Sequence, residues 1–441
     1  MRAPAPSRII RRQALVLAAV VSLGAGLLAG CADDGDNESD TSDGGGGGTT
    51  TLTLGLFGAM GFKEAGLYDE YMKLHPDITI KENVTERNEN YYPALVNHLT
   101  TGSGLMDIQA VEVGNIAEVV NTQSEKLLDL SEYGKESDFL EWKWQQATTM
   151  DGATIGLGTD VGPMAICYRK DLFEAAGLPS EREEVGKLWA GSWDRFVEVG
   201  RQYQDRAPDE TTFLDSPGGL IQAILGSETE RFYDSSGEVV YKTNPAVKDA
   251  FDLTARAAEE GLVGNQTQFQ PAWDTTIANS RFAAMSCPPW MLGYIKGKSQ
   301  PEAAGKWDVA AAPRAGNWGG SFLAVPKSGK NAEAAAELAA WLTAPEQQAK
   351  LFDVQGSFPS APAAYEMPEV RDATNEMTGD APIGTLFAEA AKSSPVQVIG
   401  PKDQIIQQGL TDNGVILVAQ GKSAQEAWET AVKTIDNNLD K

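Results

Sequence analysis

TLTLGLFGAMGFKEAGLYDEYMKLHPDITIKENVTERNENYYPALVNHLTTGSGLMDIQAVEV, running from Thr51 to Val113, is the stretch whose periodicity decides the fold. TLTLGLF (Thr51–Phe57) is a short β-prone run. Ala65–Leu74 then puts Leu67, Tyr68, Tyr71 and Met72 on one helical face, and Pro76 stops it. DITIKENV reads as a second strand. Tyr91, Leu95 and Leu99 follow at i, i+4 and i+8 on a second helix closed by Gly102, and MDIQAVEV is a third strand. Strand–helix–strand–helix–strand alternation predicts a parallel α/β layer in which each helix covers one face of a sheet.

The same grammar recurs downstream. Ser192 is placed to cap a helix whose Trp193, Phe196, Val197 and Gly200 form one stripe. Asn331–Leu342 is an alanine-rich helix with Leu338, Trp341 and Leu342 facing inward. Thr343-Ala-Pro-Glu346 and Ser423-Ala-Gln-Glu426 both read as capping boxes, and Trp428, Val432 and Ile435 continue the last helix. No internal repeat with a period of roughly 20–50 residues is visible.

Upstream, Arg2, Arg8, Arg11 and Arg12 precede an apolar run from Ala14 to Leu28 that ends in Leu28-Ala29-Gly30-Cys31. Basic residues, an apolar stretch and small residues before a cut site mark residues 1–30 as an export signal, too short and wrongly flanked for a transmembrane helix. Small residues directly before Cys31 resemble a bacterial lipobox, whose cysteine takes a diacylglyceryl group; an ordinary secretory signal is the alternative. Removing the four arginines takes the formal charge from −26 to −30. Residues 31–51 then carry six acids and five consecutive glycines, with no apolar side chain larger than alanine beyond the cysteine, which predicts a flexible tether. The folded body is therefore expected outside the cytoplasm, lipid-anchored to the cell membrane through Cys31.

Composition bounds the chemistry. The 441 residues include 42% hydrophobic side chains, enough to bury a core. The acidic surface repels phosphate backbones, so nucleic acid is not an expected partner. Two histidines, His75 and His98, leave little for His-based catalysis or metal binding, and three cysteines rule out a disulfide-dense scaffold. No G-x-S-x-G, H-E-x-x-H, Walker, G-x-G-x-x-G or C-x-x-C motif occurs. A paired-carboxylate hydrolase stays open, because the separation of carboxylates is invisible in a sequence. No enzyme, cofactor or metal is expected.

Several segments, in order, resemble the extracellular solute-binding proteins of bacterial ABC importers, in their maltose-binding-protein-like, sugar-binding branch (family 1). These are TTGSGLMDIQAVEV; Asp151–Pro179, with YRKDLF and AGLP; SWDRF at Ser192–Phe196; RFAAMSCPPW at Arg281–Trp290; and Gly319–Pro326 with the following KNAEAAAELAAWLTAPEQQ. Cys287-Pro288 departs from the commoner polar-Gly pair, and Cys167 from the usual aliphatic or aromatic residue before the tyrosine.

The resemblance implies a two-lobed periplasmic-binding-protein-like α/β fold (type II), with central mixed sheets and hinge-linked lobes closing on a ligand. Residues 52–161 plus about 326–360 would form the N-terminal lobe, and 162–325 plus about 361–441 the C-terminal lobe. Gly162-Pro163 and Gly319-Gly320 fit hinge positions or ordinary turns. Cys167 and Cys287 would lie in one lobe and are expected to pair as a disulfide, small buried hydrophobes being the alternative. A neutral sugar needs rings for its C–H faces and fixed acceptors for its hydroxyls. Trp290 matches the family's stacking tryptophan, and Trp318, Trp273 and Phe57 are further candidate rings. Glu112 and Asp160 are the candidate acceptors, whereas Asp107 reads as structural. The implied function is capture of a sugar or oligosaccharide by a monomeric lipoprotein that delivers it to ABC permease subunits. Another small solute such as a polyamine or peptide is the alternative.

Overall fold

The structure, a computed structural model, describes residues 49–439. The signal segment, Cys31 and the tether up to residue 48 lie outside the described residues. No helix among the described residues is long and apolar enough to cross a membrane.

The opening alternation folds as its periodicity predicts. Strand β1 (Thr50–Phe57) takes in two residues of the segment read as tether. Helix α1 (Leu67–Leu74), strand β2 (Ile78–Thr85), helix α2 (Asn88–Thr101) and strand β3 (Ile108–Glu112) follow. β1 lies between β2 and β3, parallel to both. Leu52, Leu54 and Leu56 of β1 are buried, as are Tyr91, Leu95 and Leu99 of α2. Gly102 ends α2 with φ of 68°, the left-handed position that glycine occupies without penalty. Asp107 is structural: its Oδ2 accepts from the Thr53 backbone N–H at 2.8 Å and the Thr53 hydroxyl at 2.6 Å. A third helix, α3 (Val113–Gln123), leaves β3 directly, and α4 (Glu141–Gln146) follows.

The chain next forms β4 (Leu157–Gly158), β5 (Asp160–Val161), β6 (Ala165–Arg169), β7 (Thr212–Leu214), β8 (Phe282–Cys287), β9 (Trp307–Ala311), β10 (Ser321–Ala324) and β11 (Phe358–Pro359). The first sheet has the order β2-β1-β3-β10-β4, mixed because β10 runs antiparallel to both neighbours. The second has the order β7-β8-β6-β9, and β5 pairs with β11 in a small ribbon. Each sheet is covered on both faces. In β6, Ile166 and Tyr168 enter one core while Ala165 and Cys167 enter the other, as period-2 alternation requires. Cys167 and Cys287 are joined as a disulfide with Cα atoms 5.3 Å apart, across the antiparallel β6–β8 pair.

Two differences from the sequence reading concern boundaries. β10 belongs to the first sheet, so the chain returns at Gly319-Gly320, ahead of the boundary placed at 325–326. Thr343 does not open a capping box; its hydroxyl donates backward to the Ala339 carbonyl at 2.8 Å, and Ala344 caps the helix Pro345–Gln355. A threonine hydroxyl one turn after a carbonyl bonds it as readily as it caps the next helix. Ser423 does cap its helix: its hydroxyl accepts from the Glu426 N–H at 3.3 Å and donates to the Glu426 carboxylate at 2.9 Å. Ser192 accepts from the Arg195 N–H at 3.3 Å, as its position suggested.

The two passages between the sheets lie side by side. Trp318 N–H donates to the Gly162 carbonyl at 2.7 Å, and Gly162 N–H to Asn317 Oδ1 at 2.8 Å. A Cβ at 162 would stand 1.8 Å from the Trp318 carbonyl oxygen, so only glycine fits. These crossings form the back of a cleft between the halves.

Candidate binding cleft

The cleft encloses about 280 Å³ and is lined from both halves. That lies near the lower bound of the roughly 300–1,000 Å³ typical of small-molecule sites. Phe57, at the end of β1, opens the first-half wall, continued by Met60 and the turn Glu86–Glu89 after β2. Glu112, Thr159, Asp160, Gly319, Gly320 and Ser321 form the back, and Phe269, Trp290, Tyr294 and Trp318 the second-half wall.

Glu112 is the last residue of β3 and the cap of α3, where its Oε2 accepts from Gly114 N–H at 2.6 Å. A carboxylate is favoured there because the first amides of a helix lack internal partners. Burial nevertheless pushes Glu112 up to about 7, opposed by the Gly114 amide and by Lys143 and Arg231. Asp160 stands between the two passages. Its Oδ1 accepts from the Thr159 hydroxyl at 2.7 Å and Ser321 N–H at 2.8 Å. Burial raises it too, against the pull of Lys143.

Lys143, on α4, lies behind this back wall. It is fully buried, its Nζ has no hydrogen-bond partner, and it sits 3.8 Å from the centroid of the Phe322 ring. Burial pulls it down to about 8, while Asp160 and Glu112 hold it up. One ammonium therefore serves two carboxylates, all three in surroundings that penalise charge. Both carboxyl side chains line the cleft.

The opposite wall is aromatic. Trp290 and Trp318 meet edge to face with centroids 5.4 Å apart, and Trp290 Nε1 donates to the Trp318 carbonyl at 3.2 Å. Phe269 packs 6.0 Å from Trp290 and 5.2 Å from Tyr294. Edge-to-face packing holds the rings at fixed angles along the cleft wall.

Five of the six residues expected to bind ligand thus line one cleft: Phe57, Glu112, Asp160, Trp290 and Trp318. Trp273 does not. It is fully buried on the helix Pro271–Ala278, and its Nε1 donates to Asp215 Oδ2 at 2.8 Å. Asp215, pushed up to about 6 by burial, needs donors, and the indole supplies one. Trp273 instead backs Phe269, at 5.2 Å. Phe269, Tyr294, Arg87 and Lys143 escaped the sequence reading. Phe269 and Arg87 are in loops without periodicity, and Lys143 looked like any helix-surface lysine. Among the described residues no group of three or more His, Cys, Asp or Glu side chains is arranged to hold a metal.

Comparison with known proteins agrees with this geometry. The sequence profile of the bacterial extracellular solute-binding proteins matches residues 66–378. A lactose-binding protein of Rhizobium radiobacter is 27% identical over 277 residues, a match covering 60% of this chain and 63% of that relative. An arabinooligosaccharide-binding protein of Halalkalibacterium halodurans is 21% identical over 359 residues, covering 77% of this chain and 78% of the relative. A crystal structure described as an extracellular solute-binding protein of family 1 superposes with a TM-score of 0.79 at 37% identity, covering 88% of this chain and 99% of the other. With the family's profile matched over most of its length and 88% of the chain covered by a solved member at 37% identity, the chain belongs to the bacterial extracellular solute-binding protein family.

Proposed function

We propose that this protein is the substrate-binding component of an ABC importer, capturing a sugar or short oligosaccharide between two lobes and delivering it to permease subunits. The observation that carries this reading is the pairing of an aromatic wall (Phe269, Trp290, Tyr294, Trp318) with the acceptor carboxylates of Glu112 and Asp160. A pyranose offers an apolar C–H face to the rings and hydroxyl donors to the carboxylates. The sugar-binding relatives support the same ligand class.

A polyamine fits less well. Lys143 already offsets the carboxylates at the back, and Arg87 sits at the rim, held by Glu89 at 2.8 and 3.1 Å. An organic cation would meet both charges. The protein binds and releases without catalysis in this reading, in keeping with the solute-binding family to which it belongs. Bending at Gly162 and Gly319-Gly320 closes the lobes, and Cys31 carries the lipid that anchors a monomer to the cell membrane on its extracytoplasmic side.

Thermal shift and calorimetry against lactose, arabino-oligosaccharides, putrescine and a peptide mixture test the ligand class. A ligand at a hundredfold excess over its Kd adds about 2.7 kcal/mol to stability. Stabilisation by saccharides alone is expected; stabilisation only by putrescine would overturn the sugar reading, and accumulation of cleaved product would overturn the non-catalytic one. Cys31→Ser should abolish incorporation of a radiolabelled fatty acid; continued labelling would refute the anchor.

A further inference from the structure

Phe269 has φ of 63°, in the left-handed region where a bulky side chain is an outlier. Such a conformation persists only where neighbours over-determine it. Here each flanking residue is tied down. On one side Gln268 Nε2 donates to Asp215 Oδ2 at 2.7 Å, the oxygen that also takes the Trp273 indole. On the other, Gln270, with its amide oxygen turned toward the guanidinium, accepts from Arg87 Nη2 at 3.2 Å and from Nη1.

The two anchors come from opposite sides of the cleft. Asp215 follows β7 in the second half, whereas Arg87 precedes α2 in the first. Arg87 is itself oriented by the Glu89 carboxylate, so its fork is aimed before it meets Gln270. Lys402 to Glu118, at 3.3 Å, also joins the halves, but it lies on α3 and does not reach this loop.

We propose that Phe269 is a specificity-determining residue of the cleft, held in its strained conformation by a cross-cleft latch from Arg87 to Gln270. The proposal rests on the solute-binding reading and adds how the closed state recognises its ligand. Closing brings Arg87 to Gln270, and the loop then fixes the Phe269 ring against the ligand's apolar face. A ligand whose face does not meet that ring keeps the latch open. Arg87 is accordingly a positioning residue, acting through Gln270 on the ring.

The first test needs no ligand. Hydrogen exchange in peptides spanning residues 265–272 is compared among the wild-type mature chain, Arg87→Ala and Arg87→Lys. Faster exchange is expected in both variants, because an ammonium cannot present the paired donors of a guanidinium; equal exchange in all three would overturn the latch. The second test titrates lactose. Phe269→Gly, which accepts the left-handed backbone without strain, should weaken binding about tenfold, while Phe269→Tyr retains it. Arg87→Ala/Phe269→Gly should bind no more weakly than Phe269→Gly alone, and additive losses would overturn the coupling. Should wild-type protein ignore lactose and arabino-oligosaccharides alike, the sugar reading falls, and the exchange comparison still decides the latch.

Discussion

Glu112→Gln should change the pH dependence of both folding and binding, in directions the cleft dictates. In the folded protein burial lifts the Glu112 carboxyl from 4.5 to about 7. A raised acid means the charged form is disfavoured by folding. The stability it contributes is fully present below pH 4.5 and is lost as pH rises toward 7. A shift of that size corresponds to about 3 kcal/mol, at roughly 1.4 kcal/mol per unit. Glutamine keeps the shape and cannot ionise. Urea unfolding of the two proteins should therefore coincide near pH 4.5, with the variant gaining up to about 3 kcal/mol by pH 7.5. Lys143, drawn down to about 8 by the same burial and supported by the same carboxylates, loses a partner in the variant. Part of the gain is then returned, and Lys143→Met should be non-additive with Glu112→Gln. Binding runs the other way. If the charged carboxylate accepts ligand hydroxyls, wild-type affinity should fall by up to about tenfold per pH unit below 7. A stability difference that is flat from pH 4.5 to 7.5 would refute this account of Glu112.

Three further outcomes follow from the same geometry. Trp290→Ala, removing a ring whose Nε1 is already engaged by the Trp318 carbonyl, should weaken saccharide affinity at least about tenfold with the apo fold retained; calorimetry with unchanged affinity would remove Trp290 from the site. Gly162→Ala places a Cβ 1.8 Å from the Trp318 carbonyl oxygen and must push the two passages apart, so thermal denaturation should show a loss of at least about 2 kcal/mol, as expected for overpacking against backbone. Replacing Cys167 and Cys287 together by alanine opens a link spanning 120 residues of sequence and should cost roughly 2–5 kcal/mol in urea, with the ligand-binding cleft unaffected when folded.

The residues themselves show how much was legible beforehand. The alternation through Thr51–Val113 was readable because Leu52, Leu54 and Leu56, then Leu67 and Tyr71, then Tyr91, Leu95 and Leu99 repeat at spacings that follow from local geometry. Glu112 and Phe57 were accessible for a related reason: they sit at the carboxyl ends of strands, where α/β folds open their clefts, and Asp160 stood out for its place just before Gly162-Pro163. Trp273 and Trp290 are each a tryptophan near a proline, and nothing local distinguishes the one bonded to Asp215 in the core from the one facing the cleft.

Local pattern thus determined which segments became strands and helices, because burying an apolar face is a short-range demand, whereas the insertion of β10 between β3 and β4 was settled by packing. Which side chains meet across the gap was decided only by packing. Lys143 became the counter-charge of two carboxylates because α4 docks behind Phe322. Phe269 became part of an aromatic wall because Asp215 and Arg87, distant in sequence, grip its neighbours. Charge burial, ring contact and backbone strain are properties of three-dimensional neighbours, and no spacing along the chain encodes them.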